Sequence, residues 1–190
     1  MRENGPWKIK STTPRYKSEL IELYEDEVVK PNGEPGTYST VRVKAGVSVL
    51  PVDGERFVYL ARDFRYAVGR ECLEAVAGGV DEGEAEEDAA RRELKEELGM
   101  EAEDFVALGQ VDPMPSLVDS PAHLFMATGR LKFKEKELEA GENVRTVRVK
   151  LSEAVRMVME SEITHGASCV LILRANDYLE RKKQPSDNRS

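Results

Sequence analysis

GGVDEGEAEEDAARRELKEELGM, residues 78–100, is the most informative segment of this chain. Its second half, Ala85 to Leu98, is dominated by Ala, Leu, Glu, Arg and Lys and contains no proline and no β-branched residue. That composition favours an α-helix, because these side chains lose little rotamer freedom in one. Gly99 follows in the position where a left-handed residue commonly ends a helix. We therefore predict a helix that stops at Gly99.

Three glutamates share one face of this predicted helix. Glu96 follows Glu93 by three residues and Glu97 follows it by four, spacings that bring Cβ atoms to roughly 5–6 Å from each other. Like charges at this spacing destabilise a helix, so the cluster indicates a cation, and oxygen ligands suit Mg²⁺ or Mn²⁺. Arg92 can reach back to Glu84 or Glu96. The alternative is an acidic, solvated helix with a glycine cap.

The spacing of the fixed residues resembles the signature of the Nudix hydrolases. Gly78, five residues, Glu84, seven residues and then residues 92–100 (RELKEELGM) match that signature at every fixed position. The resemblance extends over roughly residues 38–179. It implies an α/β fold, the Nudix α/β/α sandwich with a mixed β-sheet, and hydrolysis of a pyrophosphate with Mg²⁺ or Mn²⁺ as cofactor.

Composition limits the partners of this protein. The chain has 190 residues, 40% of them hydrophobic and 34% charged, as in ordinary soluble domains. A net charge of −8 argues against binding along a nucleic-acid backbone, which needs a basic surface. No apolar run approaches membrane-spanning length and the N-terminus lacks a signal-peptide pattern, so no membrane partner is expected. Cys72 and Cys169 are predicted to be reduced thiols, which fits a cytoplasmic location.

An N-terminal β extension precedes the main domain. Residues 7–29 read as two or three strands, although 18–27 also fit a short helix; a turn at 31–36 leads into a strand at 38–43. This block resembles the extension of the ADP-ribose and nucleoside-diphosphate-sugar branch of the family, which implies a homodimer with exchanged extensions. We expect residues 1–43 to form the extension, 44–182 the Nudix domain and 183–190 a disordered tail. Its aromatic residues are candidates either to stack on a nucleobase or to pack within strands: Trp7, Tyr16 and Tyr24.

Further elements follow from alternation and periodicity along the rest of the chain. Strands are predicted at 45–51 and 57–61, joined by a hairpin turn at Asp53-Gly54. Additional strands are expected at 105–111, 122–128 and 144–149. Ser152 is expected to cap a helix, and a last helix is predicted over 164–182, with both helices covering the sheet.

Two segments before the acidic helix resemble substrate and metal elements of the same branch. Asp63-Phe64-Arg65-Tyr66 resembles its Gln-x-Arg-Tyr segment, which implies that Arg65 binds substrate phosphates; a guanidinium offers bidentate bonds to them. The alternative for Arg65 is an ion pair with Glu71 or Glu74. Residues 73–79 resemble the Glu-x-Pro-Ala-Gly stretch, with Val76 in place of Pro, which implies that the Ala77 carbonyl is a metal ligand.

Two acids after the helix are further candidates. Asp119 lies in a loop that departs from the Ser-Pro-Gly pattern of the branch, and it either binds substrate or caps a turn. Glu142 corresponds to the general base that activates water in ADP-ribose pyrophosphatases, with Glu139 as the second choice; the alternative is a solvated acid in a charged loop. His123 and His165 are read as ordinary strand and helix-start residues.

Together these features predict a metal-dependent hydrolase of a nucleoside diphosphate linked to another group, namely ADP-ribose or a nucleotide sugar. Cleavage by water would give a nucleoside monophosphate and a phosphorylated sugar. Alternatives are a pyrophosphatase of dinucleoside polyphosphates, NADH or nucleoside triphosphates, or a non-catalytic nucleotide sensor. The candidate residues are Glu142, Glu96 and Arg92 for catalysis; Arg65, Glu74 and Asp119 for substrate; and Ala77, Glu93, Glu96 and Glu97 for metal.

Overall fold

The computed structural model describes residues 1–134 and 144–183. Within these ranges no helix is long and apolar enough to cross a membrane. The strands are β1 (Arg2–Asn4), β2 (Trp7–Lys17), β3 (Ile21–Val29), β4 (Pro35–Val43), β5 (Gly46–Pro51), β6 (Phe57–Arg65), β7 (Arg70–Glu74), β8 (Val76–Gly79), β9 (Met100–Val111), β10 (Val118–Asp119), β11 (Ala122–Phe133) and β12 (Arg145–Lys150). The α-helices are α1 (Glu86–Leu98), α2 (Leu151–Met159) and α3 (Gly166–Lys183).

The first of two compact units comprises residues 1–45 and 112–121. It holds a five-stranded sheet in the order β1-β2-β3-β4-β10. Neighbouring strands from β1 to β4 are antiparallel, whereas β10 lies parallel to β4. The alternative of a helix at residues 18–27 is wrong, because β3 covers most of that range and pairs on both sides. The domain boundaries expected from the sequence, namely 1–43, 44–182 and 183–190, stay a prediction.

The second unit, residues 46–111 and 122–190, contains two sheets. Its four-stranded sheet has the order β8-β5-β11-β9 and its three-stranded sheet the order β12-β6-β7. The first is mixed, since β11 is parallel to β5 but antiparallel to β9. This confirms the mixed sheet predicted for the Nudix domain.

Helices cover both faces of the mixed sheet. In β5, Val47 and Val49 pack in one buried cluster, while Leu50 belongs to the other. This alternation is what a strand buried on both faces requires, because successive side chains point to opposite sides. The cluster of Val47 and Val49 includes the buried apolar residues of α1, and the cluster of Leu50 includes those of α2 and α3. The α/β/α arrangement is therefore confirmed within this unit.

Two local predictions are corrected. The turn at Asp53 forms, with the Asp53 carboxylate accepting hydrogen bonds from the backbone N–H groups of Glu55 and Phe57 at 3.0 and 2.9 Å. The turn closes with an antiparallel bridge between Val52 and Val58, but the pairing extends no further, because β5 and β6 belong to different sheets. Ser152 is not the N-cap of α2: the helix begins at Leu151, after Lys150, and has no side-chain cap.

Candidate active site

Helix α1 supplies the acidic face predicted from sequence. It is preceded by Ala85 and has acidic residues in its first turn, where negative charge is favoured by the helix dipole. Gly99 ends it in the left-handed conformation, with φ of 62°, and its N–H bonds back to the carbonyl groups of Leu94 and Lys95. The opposite face is buried by Ala89, Ala90, Leu94 and Leu98. That packing fixes the rotation of the helix and so the direction of its glutamates.

Arg92 is the centre of this face. Its Nε and Nη2 donate to the two carboxylate oxygens of Glu84, both at 2.9 Å. Its Nη1 donates to Glu93 Oε1 at 2.6 Å and to Glu96 Oε2 at 3.1 Å, and Nη2 also reaches the Gly79 carbonyl at 2.8 Å. The planar guanidinium therefore joins the loop before α1 to two carboxylates on the helix. Both contacts expected for Arg92, to Glu84 and to Glu96, form.

These bonds shift the acid–base properties of the group. The hydrogen bond from Arg92 lowers the pKa of Glu84 to about 2, and the bond from the Asp81 N–H acts in the same direction. The hydrogen bond to Glu84 raises the pKa of Arg92 against the opposing effect of burial. Glu84 is thus a carboxylate and Arg92 a cation throughout the range in which enzymes work.

Gly78 in β8 allows the Glu93 carboxylate of α1 to pack directly against the strand. A Cβ built at this position would lie 1.9 Å from the Glu93 carboxyl carbon and 2.0 and 2.2 Å from its two oxygens. Any other residue would therefore displace that carboxylate. Beside it, Glu97 is buried, with only 8% of its surface exposed.

The donor set fits a hard divalent cation. Glu93, Glu96 and Glu97 offer carboxylate oxygens, and Ala77 lies in β8, one residue before Gly78. Oxygen ligands of this kind are those that Mg²⁺ and Mn²⁺ take. Within the described ranges no three acidic, His or Cys side chains already converge as a metal cage; Arg92 instead holds two of the carboxylates.

Arg65 stands at the end of β6 and pairs with Glu74 at the end of β7. Its Nη2 and Nε lie 2.9 and 3.2 Å from Glu74 Oε2, and its Nη1 is 3.4 Å from Asp63 Oδ2. Burial, the largest effect, lowers the pKa of Arg65, but the hydrogen bond and charge of Glu74 raise it, with a net increase. Glu74 is itself 6% exposed. The ion pair with Glu74 weighed as the alternative forms, and it leaves part of the guanidinium accessible.

Four further candidates lie in the first compact unit. Asp119 is in β10 of the first unit, where it lines a cavity of about 410 Å³ that includes Trp7 and Tyr38. Trp7 meets Tyr38 edge to face at 5.5 Å between ring centroids. Tyr24 packs under Arg42, and Tyr16 is exposed.

The two general-base candidates belong to residues 135–143, outside the described ranges: Glu142 and Glu139. His123 lies near the start of β11, with its Nε2 3.9 Å from Glu86.

Sequence reasoning did not assign a role to Ser168. This residue is completely buried in α3, and its Oγ accepts the N–H of Ala75 at 2.9 Å. A signal was available: Ser168 is a lone polar residue in register with Leu171, Ile172 and Ala175 on the buried stripe of the helix. A polar side chain in such a position requires a hydrogen-bond partner.

Comparisons with known proteins place the chain in a family. The NUDIX domain family model matches residues 42–165. An ADP-ribose pyrophosphatase from Bacillus subtilis (strain 168) is 30% identical over 169 residues, covering 88% of this chain and 89% of that protein. A methanol dehydrogenase activator from Bacillus methanolicus is 26% identical over 170 residues, covering 88% and 92%. A solved structure described as an ADP compounds hydrolase has a similar fold, with a TM-score of 0.82 and 21% identity over 96% of this chain and 98% of that one.

The chain therefore belongs to the Nudix family. The expectation of an enzyme acting on pyrophosphate bonds is confirmed.

Proposed function

We propose that this Nudix hydrolase cleaves ADP-ribose or a related nucleoside-diphosphate sugar. Water attacks one phosphorus of the pyrophosphate, and the products are a nucleoside monophosphate and a phosphorylated sugar. The observation that carries the proposal is the arrangement in which Arg92 binds Glu84, Glu93 and Glu96 and also the carbonyl of Gly79 at the end of β8. The choice of substrate is supported by the name of the Bacillus subtilis relative, an ADP-ribose pyrophosphatase.

Mg²⁺ or Mn²⁺ is the proposed cofactor. Glu93, Glu96, Glu97 and the carbonyl oxygen of Ala77 would hold it, and the close fit of the Glu93 carboxylate over Gly78 supports this assignment. A bound divalent ion neutralises pyrophosphate charge and lowers the pKa of a coordinated water. The role proposed for Arg92 is to orient two of these carboxylates while it compensates their mutual repulsion.

Arg65 is proposed to bind the substrate phosphates. Glu74 holds that guanidinium through two hydrogen bonds to one carboxylate oxygen. Nη1 contacts Asp63 Oδ2 at 3.4 Å and has a second N–H group that can donate to an anionic partner. A pre-oriented guanidinium loses little conformational freedom when a phosphate binds, so affinity is gained without rearrangement. Asp119 is proposed to contact the substrate as well.

Glu142 is the proposed general base, with Glu139 as the second choice. Water must lose a proton as it attacks phosphorus, and a carboxylate outside α1 is suited to accept it on the side away from the metal ligands. Glu142→Gln is expected to lower kcat more than Glu139→Gln; the reverse order would transfer the role to Glu139.

The protein is further proposed to act as a cytoplasmic homodimer, with neither nucleic acid nor a membrane as partner. Exposed apolar residues in the first unit, including Tyr16, Leu20 and Ile21, support a surface covered by a second copy. The free thiols of Cys72 and Cys169 fit a reducing compartment. Light scattering coupled to size-exclusion chromatography tests the dimer, and a monomer at micromolar concentration would contradict it.

A panel of nucleotides tests the substrate. ADP-ribose, a nucleotide sugar, a dinucleoside polyphosphate, NADH and a nucleoside triphosphate are each incubated with and without Mg²⁺, and the phosphate monoesters released are measured. The proposal expects the highest kcat/KM for ADP-ribose or the nucleotide sugar, with turnover lost on chelation and restored by Mg²⁺ or Mn²⁺. Preference for another compound would reassign the substrate, and turnover of none would support a nucleotide-sensing module.

A further inference from the structure

The chain crosses from one sheet of the second unit to the other at Ala75. Glu74 is the last paired residue of β7, opposite Ala61, and Val76 is the first paired residue of β8, opposite Val49. Ala75 lies between them and is 1% exposed. Its N–H is therefore buried outside either ladder, a position that is costly unless another group accepts the hydrogen bond.

Ser168 of α3 is that acceptor. Its Oγ lies 2.9 Å from the Ala75 nitrogen and 2.8 Å from His165 Nδ1, and the residue is fully buried. One side chain of the helix thus fixes the backbone at the crossing point. Because the hydrogen bond is shielded from water, it constrains position more strongly than a solvated one would.

The same corner is tied to the start of α3 by two further contacts. His165 Nδ1 is 3.7 Å from Glu74 Oε2, and Arg70 Nη2 donates to Thr164 Oγ1 at 3.0 Å. Both join β7 to the residues around the helix start. The crossing is therefore held on the side of Glu74 as well as at Ala75 itself.

The residues on each side of the crossing are those assigned above to substrate and metal. Glu74, which precedes Ala75, orients Arg65. Ala77, two residues beyond, is the proposed carbonyl ligand and precedes Gly78, which lies against the Glu93 carboxylate. A shift of the backbone at Ala75 would move the two groups together.

We infer that Ser168 is a positioning residue of the active site, which sets the Glu74–Ala77 segment so that the substrate arginine and the metal carbonyl are in place simultaneously. It acts through the Ala75 backbone and does not touch substrate. This inference rests on the proposed function of Arg65 and Ala77. Supporting groups of this kind commonly change metal affinity or activity by about 10- to 100-fold when removed.

The test compares Ser168→Ala with Ser168→Thr, which keeps the hydroxyl, and with Ser48→Ala. Ser48 is a matched control because it is 1% exposed, sits opposite Ala77 in β5, and in the described part of the chain has no hydrogen-bond partner for its Oγ. Mn²⁺ affinity is measured without substrate by electron paramagnetic resonance. The rate of hydrogen exchange at the Ala75 amide, kcat and KM are measured separately. If Ser168→Ala does not fold, Ser168→Cys replaces it, since a thiol is a weak acceptor.

Ser168→Ala is expected to weaken Mn²⁺ binding about tenfold, to accelerate exchange at Ala75 and to raise KM, while Ser168→Thr and Ser48→Ala retain wild-type Mn²⁺ affinity. Equal Mn²⁺ affinity for Ser168→Ala and Ser48→Ala would overturn the inference, whatever their melting temperatures. If the wild type hydrolyses no compound of the panel, yet Ser168→Ala binds Mn²⁺ more weakly than the wild type, the substrate assignment fails and the inference stands. Lack of Mn²⁺ binding by the wild type would contradict both.

Discussion

The carboxylate of Glu93 occupies the space in which a side chain at Gly78 would begin, 1.9 Å from the position of its Cβ. Gly78→Ala is expected to fold, because the flexible end of Glu93 can move aside, yet to lower kcat/KM about 10- to 100-fold by displacing a proposed metal ligand. Gly54→Ala is the control, since a Cβ there meets nothing within 4 Å. Circular dichroism and steady-state kinetics distinguish the two, and equal kinetics would contradict the role of Gly78.

The metal ligands are tested by removing single charges from α1. Glu93→Gln and Glu97→Gln are each expected to lower kcat about 100-fold at saturating Mg²⁺, because an amide is a weaker ligand than a carboxylate. Glu87→Gln removes a charge from the same helix at a half-exposed position paired with Arg91, and its kcat should equal that of the wild type. Near-full turnover by either ligand variant would show that the assignment is wrong.

Arg92→Lys tests whether the planar guanidinium is required or only its charge. A lysine cannot reproduce the bonds to Glu84, Glu93, Glu96 and Gly79 together, so both resistance to urea and kcat should fall, the latter about tenfold. Arg181→Lys is the control: its guanidinium is largely exposed and pairs with Asp177 of the same helix, and the free energy of unfolding should change by less than about 0.5 kcal/mol. If the two lysine variants behave alike, Arg92 has no special role.

Arg65→Lys is expected to raise KM about tenfold with little change in kcat, because one point charge replaces a bidentate donor. Arg62→Lys, three residues earlier in the same strand and with a distant contact of 3.9 Å to Glu71, should leave KM unchanged. A fall in kcat at constant KM for Arg65→Lys would place this residue in the chemical step and not in substrate binding.

Lowering the pH is expected to reduce the free energy of unfolding, because protonation of His165 is less favourable in the folded protein than in the unfolded chain. Burial lowers the pKa of its imidazole below the usual 6.5, against the opposing charge of Glu74. Below pH 6.5 the unfolded chain therefore binds more protons than the folded one, and the free energy of unfolding falls as pH decreases. His165→Gln should flatten this dependence between about pH 7 and pH 5. His123→Gln removes the other histidine as a control; equal flattening by both would refute the assignment.

The helix and its acidic face were predictable because they depend on neighbours within the chain. The three- and four-residue spacing of Glu93, Glu96 and Glu97 places them together in any α-helix, and Gly99 ends the helix through its own backbone freedom. The same holds for the alternating apolar residues of β5, whose two faces match the helices on either side.

Local sequence patterns do not predict which distant segments pair or pack together. A turn at Asp53 predicts that the chain reverses, but not that β5 and β6 separate into different sheets, since sheet membership depends on which distant strand offers a free edge. The start of α2 differed for a related reason: packing of buried Leu151 and Ala154 fixes the helix two residues earlier than a cap at Ser152 would.

The sequence by itself determined the chemistry of this protein, namely a helix of glutamates that follows two glycines, because the helix depends on contacts within a few residues. Only the tertiary structure decided that Arg65 faces Glu74, that Glu93 rests on Gly78 and that Ser168 holds Ala75. In the last pair the residues are 93 positions apart, and their meeting depends on how α3 packs against the sheets. No local spacing encodes that packing, since it results from burying apolar surface over the whole unit.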